Sequence, residues 1–184
     1  MRPSGKRRRA VFLDRDGVVN QSLIRERQPY SPRRVEELVV LDGVKEAVSL
    51  LHKNGFVTVV VTNQPDIARG YLTHEILLEL HNFISQKTEL TNFYVCYHDD
   101  NDDCECRKPK IGLFRKAEQD LNLDLSKSFM VGDRWKDIEA GQQAGCRCFF
   151  IDDNYRERRP SPPFHTVTSL LEAAEIIMEG LNDK

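Results

Sequence analysis

Short apolar runs that end in polar or charged residues alternate along this chain with stretches whose apolar positions recur at helical spacing. Ala10–Leu13 is apolar throughout and runs directly into acidic residues, the mark of a buried strand. Over 43–54, Val44, Ala47, Val48 and Leu51 fall on one helical face, and Gly55 follows as a stop signal. The β-branched run 56–61 predicts a second strand. Thr73 is placed to cap a helix through about Lys87 with Ile76, Leu77, Leu80 and Ile84 inward. A third strand follows at 93–96, then a polar loop through Arg107 and a helix opening at Pro109 or Lys110 and ending near Leu121. Strands at 128–131 and 147–151 flank a helix at 135–144, and an amphipathic helix over 169–179 closes the pattern.

Strands that alternate with helices predict an α/β fold: a Rossmann-like three-layer sandwich with a central parallel sheet covered on both faces. No repeat or low-complexity linker divides the chain, so residues 10–184 are expected to form one domain behind a flexible basic tail, 1–9. In such sheets the reactive groups lie beyond the carboxyl ends of strands. Four polar clusters stand there.

Asp14-Arg15-Asp16-Gly17 follows the first strand. Two carboxylates this close are costly unless a cation lies between them. Magnesium and a phosphate dianion meet that need, with Asp14 as nucleophile and Asp16 as proton donor to a leaving alkoxide; an acidic turn is the plainer alternative. Thr62-Asn63-Gln64 follows the second strand and offers donors to phosphoryl oxygens, or simply a polar turn before Pro65. Arg107-Lys108-Pro109-Lys110 puts cations at a helix start, where they gain nothing from the helix dipole; an anionic ligand or plain solvation accounts for them. In Gly132-Asp133-Arg134-Trp135-Lys136-Asp137, Asp133 can complete a magnesium shell or cap the helix that follows.

Cysteine placement adds a second metal. Cys96, His98, Cys104 and Cys106 give C-x-H-x5-C-x-C, three sulfurs and an imidazole suited to a closed tetrahedral zinc site; three unbound buried cysteines are the alternative. Such a zinc would act indirectly, by fixing the loop that delivers Arg107 and Lys108. Cys146 and Cys148 alternate along a strand and read as packing residues, and His52, His74, His81 and His165 read as structural. Five cysteines without an export signal argue against a disulfide framework. The basic cluster before Ala10 leads into too short an apolar stretch for a signal peptide, and no run reaches the ~20 residues that span a bilayer, so a cytoplasmic location is expected. With 27 basic and 29 acidic residues the net charge is −2, which gives no reason to expect nucleic acid or an anionic membrane as partner.

FLDRDGVVN, VVVTNQ, CRKPK and MVGDRWKD together resemble the four motifs of the haloacid dehalogenase superfamily of phosphohydrolases, over most of the chain. The stretch 62–70 and the cysteine-histidine loop resemble the branch of heptose-bisphosphate and histidinol-phosphate phosphatases. The resemblance implies Asp14 as nucleophile and Asp16 as general acid, with Thr62 and Lys108 on the transferring phosphoryl group. It implies magnesium on Asp14, the Asp16 carbonyl and Asp133, with Asn63, Gln64, Arg107 and Arg134 toward substrate and Asp137 ordering its loop. The spacing of the motifs leaves no room for a large cap domain between them, so an open site suited to a small phosphate ester is expected, in a monomer. The C7 phosphate of D-glycero-D-manno-heptose 1,7-bisphosphate is the leading substrate; histidinol phosphate or another small phosphomonoester is the alternative. A phosphate-dependent binding module is the non-enzyme reading. The chain departs from the heptose enzymes at 21–27, where their acidic, glycine-containing segment is missing, and at Asp66 and Arg134.

Overall fold

Ala10–Leu13 (β1) alternates its side chains between two cores, as the two-residue period of a strand demands. Val11 and Leu13 enter one core, Ala10 and Phe12 the other, and all four are fully buried. In this computed structural model, which describes residues 5–182, β1 lies near the middle of a six-stranded parallel sheet.

The chain continues through a hairpin of Leu23–Arg25 (β2) and Gln28–Tyr30 (β3), then Val44–Lys53 (α1), Val57–Asn63 (β4), His74–Thr88 (α2), Phe93–Cys96 (β5) and Gly112–Leu121 (α3). Phe129–Gly132 (β6), Trp135–Ala144 (α4), Arg147–Ile151 (β7), His165–Val167 (β8) and Leu170–Asn182 (α5) complete it. The sheet order is β5-β4-β1-β6-β7-β8. Helices α1, α2 and α5 cover one face and α3 and α4 the other, which is the expected three-layer sandwich. The order places the ends of β4, β1 and β6 side by side. No helix among the described residues is long and apolar enough to cross a membrane.

Several expectations shift. β4 runs two residues further than its apolar run, because Thr62 and Asn63 pair with Val95 and Cys96. α3 begins at Gly112, later than Pro109 suggests, because residues before it fold back: Lys110 N donates to Arg107 O and Gly112 N to Glu105 O. β8, only three residues long, adds a sheet edge that no apolar run announces. The β2–β3 hairpin turns at Glu26 and Arg27, both at positive φ (51° and 61°) without the usual Asn-Gly signal. Of the flexible tail expected at 1–9, residues 1–4 lie outside the described residues. From Arg8 onward the chain is bonded to the domain: Arg8 N donates to Asn122 O, its carbonyl accepts from Asp124 N, and Arg9 covers the Phe56 ring.

Candidate active site

Asp14 leaves β1 with its amide still in the sheet, donating to Val131 O at 3.0 Å. The chain then turns sharply: Val19 N and Asn20 N both donate to Arg15 O. Gly17 sits in this turn at φ +85°, and a Cβ there would lie 1.9 Å from Asp133 Oδ2. Only glycine lets the Asp133 carboxylate come this close to the backbone after Asp14.

Lys108 arrives from the far side of the cleft, and Asn63 places it. The Asn63 amide oxygen accepts from Lys108 N at 3.0 Å, and its NH2 donates to Lys108 O at 3.1 Å. The lysine Nζ then lies 2.8 Å from Asp14 Oδ1, 2.7 Å from Asp137 Oδ1 and 2.7 Å from Val61 O. Burial opposes its charge, but Asp137 and Asp14 outweigh burial and raise its pKa.

One buried ammonium does not balance the carboxylates around it. Burial and the Asp137 charge push the Asp14 pKa up to about 6 against the pull of Lys108. Burial and the charge of Asp14 push Asp133 well above the usual carboxylate range, opposed by a bond from Tyr155. Ligand oxygens of Asp14, Asp133 and Asp137 lie within 4.8 Å of one another, and Asp133 Oδ1 is buried without a hydrogen-bond partner. An oxygen-rich cluster with surplus negative charge and an orphaned carboxylate oxygen fits a hard divalent cation such as magnesium.

Asp16 is held differently. Oδ1 accepts from Arg15 Nε (3.1 Å) and Asn20 Nδ2 (2.9 Å). Oδ2 accepts from Arg15 Nη2 (3.0 Å), Ser31 Oγ (2.7 Å) and Gln64 Nε2 (3.0 Å). Burial works against the carboxylate, but the Arg15 charge and the bonds from Ser31, Asn20 and Gln64 prevail and lower its pKa. Asp14, Asp16, Thr62, Asn63, Lys108, Asp133 and Asp137 thus line one small cleft of about 70 Å³. A larger cavity of about 570 Å³ opens behind Tyr155 and Ser22, with no lysine or arginine in its lining.

A model of the haloacid dehalogenase-like hydrolases matches residues 9–145, from the residue before β1 to the end of α4. The chain belongs to that family. It is 34% identical to the D-glycero-β-D-manno-heptose-1,7-bisphosphate 7-phosphatase of Haemophilus ducreyi, covering 76% of this chain and 80% of that one. To the enzyme of the same name from Vibrio cholerae it is 36% identical, over 74% and 76% of the two chains. The crystal structure of D,D-heptose 1,7-bisphosphate phosphatase from B. bronchiseptica, complexed with magnesium and phosphate, superposes with a TM-score of 0.83 at 27% identity, covering 94% of this chain and 99% of that one.

In this haloacid dehalogenase-like hydrolase, the cysteine-histidine loop gathers as its spacing suggested. Cys96 Sγ is 3.5 Å from His98 Nδ1, 3.8 Å from Cys104 Sγ and 3.0 Å from Cys106 Sγ, with His98 Nδ1 3.3 Å from Cys106 Sγ. Those separations suit four ligands around one zinc ion.

Three residues read as facing substrate have their polar groups engaged by other parts of the protein. Gln64 is fully buried and spends its NH2 on Asp16 and Thr62. Arg107 turns to Asp100 and the His98 carbonyl, tying the cysteine-histidine loop together. Arg134 borders the cleft, but its guanidinium is engaged by Glu157. Asn63 lines the cleft with its amide already committed to Lys108. Asp137 does order its loop, accepting from Arg134 N at 3.0 Å, and it also holds Lys108. Sequence reasoning missed Ser31, Asn20 and Tyr155. Asn20 was within reach, four residues after Asp16; Ser31 and Tyr155 come from segments without regular pattern.

Proposed function

We propose that this chain is a magnesium-dependent phosphatase that removes the C7 phosphate of D-glycero-β-D-manno-heptose 1,7-bisphosphate through an aspartyl-phosphate on Asp14. The observation that carries the reading is the meeting of Asp14, Asp133 and Lys108 in one cleft at adjacent strand ends. The names of the relatives support the substrate. The cleft has space for about two water molecules, enough for a phosphoryl group, while the rest of an ester projects toward solvent.

Asp14 attacks phosphorus and the bond to the ester oxygen breaks. Lys108 and the Thr62 hydroxyl hold the equatorial oxygens in place while the charge moves, which is the main demand of phosphoryl transfer. Bound magnesium, held by Asp14, Asp133 and the Asp16 carbonyl, supplies charge neutralisation at the phosphoryl oxygens. Asp16 gives its proton to the departing alkoxide, then takes one from the water that attacks the phosphorus and frees Asp14. Its five donors favour the ionised form suited to the second step; for the first, the Ser31 hydroxyl can reverse its bond and accept. Zinc on Cys96, His98, Cys104 and Cys106 holds the loop from which Lys108 reaches the cleft.

Phosphate release is to be assayed on heptose 1,7-bisphosphate, histidinol phosphate and other sugar phosphates, with and without magnesium. The reading expects magnesium-dependent release that is fastest on the heptose bisphosphate. Faster release from histidinol phosphate would overturn the substrate, and steady turnover by Asp14→Asn would overturn the nucleophile.

A further inference from the structure

Directly beneath the cleft lies a charge that the chemistry above does not consume. Arg15 is fully buried, so each of its three guanidinium nitrogens needs a partner. Two are spent in a fork on Asp16, and Nη1 points the other way, 3.4 Å from His81 Nε2. An arginine only donates, so Nε2 must accept and the imidazole carries its proton on Nδ1. His81 projects from α2 and is itself buried, with its ring stacked on Phe93 at 4.4 Å between centroids and 15° between planes. Burial and the Arg15 charge push its pKa down to about 3, so the ring stays neutral and able to accept.

We propose that His81 is a positioning residue for the reaction: clamped between Phe93 and Arg15, it sets the plane of the guanidinium and thereby the direction in which Asp16 presents its oxygen to the leaving group. The proposal rests on the reading of Asp16 as general acid. An apolar residue at 81 would leave Nη1 buried without an acceptor. The guanidinium would turn to find another, and turning breaks the fork, because both Asp16 bonds lie in the guanidinium plane. The fork is the one contact to Asp16 in which a single rigid group engages both its oxygens, so its loss leaves the carboxylate on separate single bonds from Asn20, Ser31 and Gln64 and lets its plane tilt.

A leaving-group comparison separates this role from mere packing. Heptose bisphosphate must expel a basic alkoxide and needs the proton; p-nitrophenyl phosphate expels a stable phenolate and does not. His81→Leu should lower the rate of the first step, phosphoryl transfer to Asp14 read by rapid quench, about 10-fold on the heptose bisphosphate with KM little changed, and leave the burst rate of p-nitrophenol release within about 2-fold, a fraction of what a general acid contributes. Steady-state kcat also contains hydrolysis of the aspartyl-phosphate, where Asp16 acts as base for both esters. His81→Gln, whose amide oxygen can accept from Arg15, should restore most of the loss. If His81→Leu does not fold, Arg15→Lys, which keeps the charge but cannot fork, should show the same selective loss. Equal slowing of the first step on both esters by the folded variant overturns the proposal, as does failure of His81→Gln to recover. Asp16→Asn is the control. If it discriminates between the esters in that first step and the His81 variant does not, only the proposal falls; if Asp16→Asn slows the first step of both alike, the general-acid reading falls and takes the proposal with it.

Discussion

Three carboxylates share one ammonium at the end of β1, and that imbalance governs how individual residues behave. Asp14 and Asp133 titrate above their unfolded values, Asp14 at about 6. Between the unfolded and the folded values the native metal-free protein binds protons that the unfolded chain does not, so its stability falls as pH rises through that window. A divalent cation needs the deprotonated carboxylates. Magnesium should therefore raise the melting temperature clearly at about pH 7.5 and much less at about pH 5, where protons occupy the site. An equal shift at both values would contradict a carboxylate site. Asn63 makes a second test: Asn63→Ala removes both bonds that place the Lys108 backbone, and kcat should fall by about 10–100-fold while the melting temperature changes little, since mispositioning one charged group is enough for that loss. That Asp14, Asp16, Lys108 and Asp133 would gather in one place is legible in the sequence, because charge at the end of an apolar strand is expensive without a ligand. The partners of Gln64 and Arg107 are not legible, because a position at a strand end or in a loop does not say which way a long side chain turns. His81 was hidden for another reason: with Leu77, Leu80 and Ile84 it shares the buried face of α2, where a histidine looks like one more core residue.

At the scale of elements, the polar loop between β5 and α3 has almost no apolar side chain to hold it, yet it delivers Lys108. Its order comes from Cys96, His98, Cys104 and Cys106, with Arg107 bonded to Asp100 and to the His98 carbonyl. Cys104→Ser should abolish stoichiometric zinc by elemental analysis, speed hydrogen exchange over 97–111 and lower kcat, while exchange in β1 and β6 stays slow. Unchanged zinc content would remove the metal from this account. The helices α1, α2 and α4 fall within a residue or two of their expected limits, because their apolar spacing and caps are local signals: Thr73 Oγ1 accepts from Ile76 N at the start of α2. The hairpin β2–β3 was not legible. It is fastened from outside, by Arg156 N to Arg27 O and Gln28 Nε2 to Arg156 O, contacts between segments more than a hundred residues apart.

Across the whole molecule, sheet order decides which strand ends become neighbours. Alternation of strands and helices announces a parallel sheet, but not that β1 lies between β4 and β6; that follows from pairings such as Leu13 with Val60 and with Val131. The same order brings β5, and with it the first zinc-ligand candidate Cys96, beside β4. One molecule-wide arrangement therefore serves two sites, the carboxylate cleft and the sulfur cluster, joined through Asn63 and Lys108. The central claim is that Asp14 is the group that becomes phosphorylated. Borohydride quenching during turnover on heptose 1,7-bisphosphate, followed by peptide mass spectrometry, tests it most directly, because reduction converts an aspartyl-phosphate to homoserine. The account predicts substrate-dependent homoserine at position 14 and nowhere else. Homoserine at position 16 or 133, or none at 14 while phosphate is being released, would contradict it.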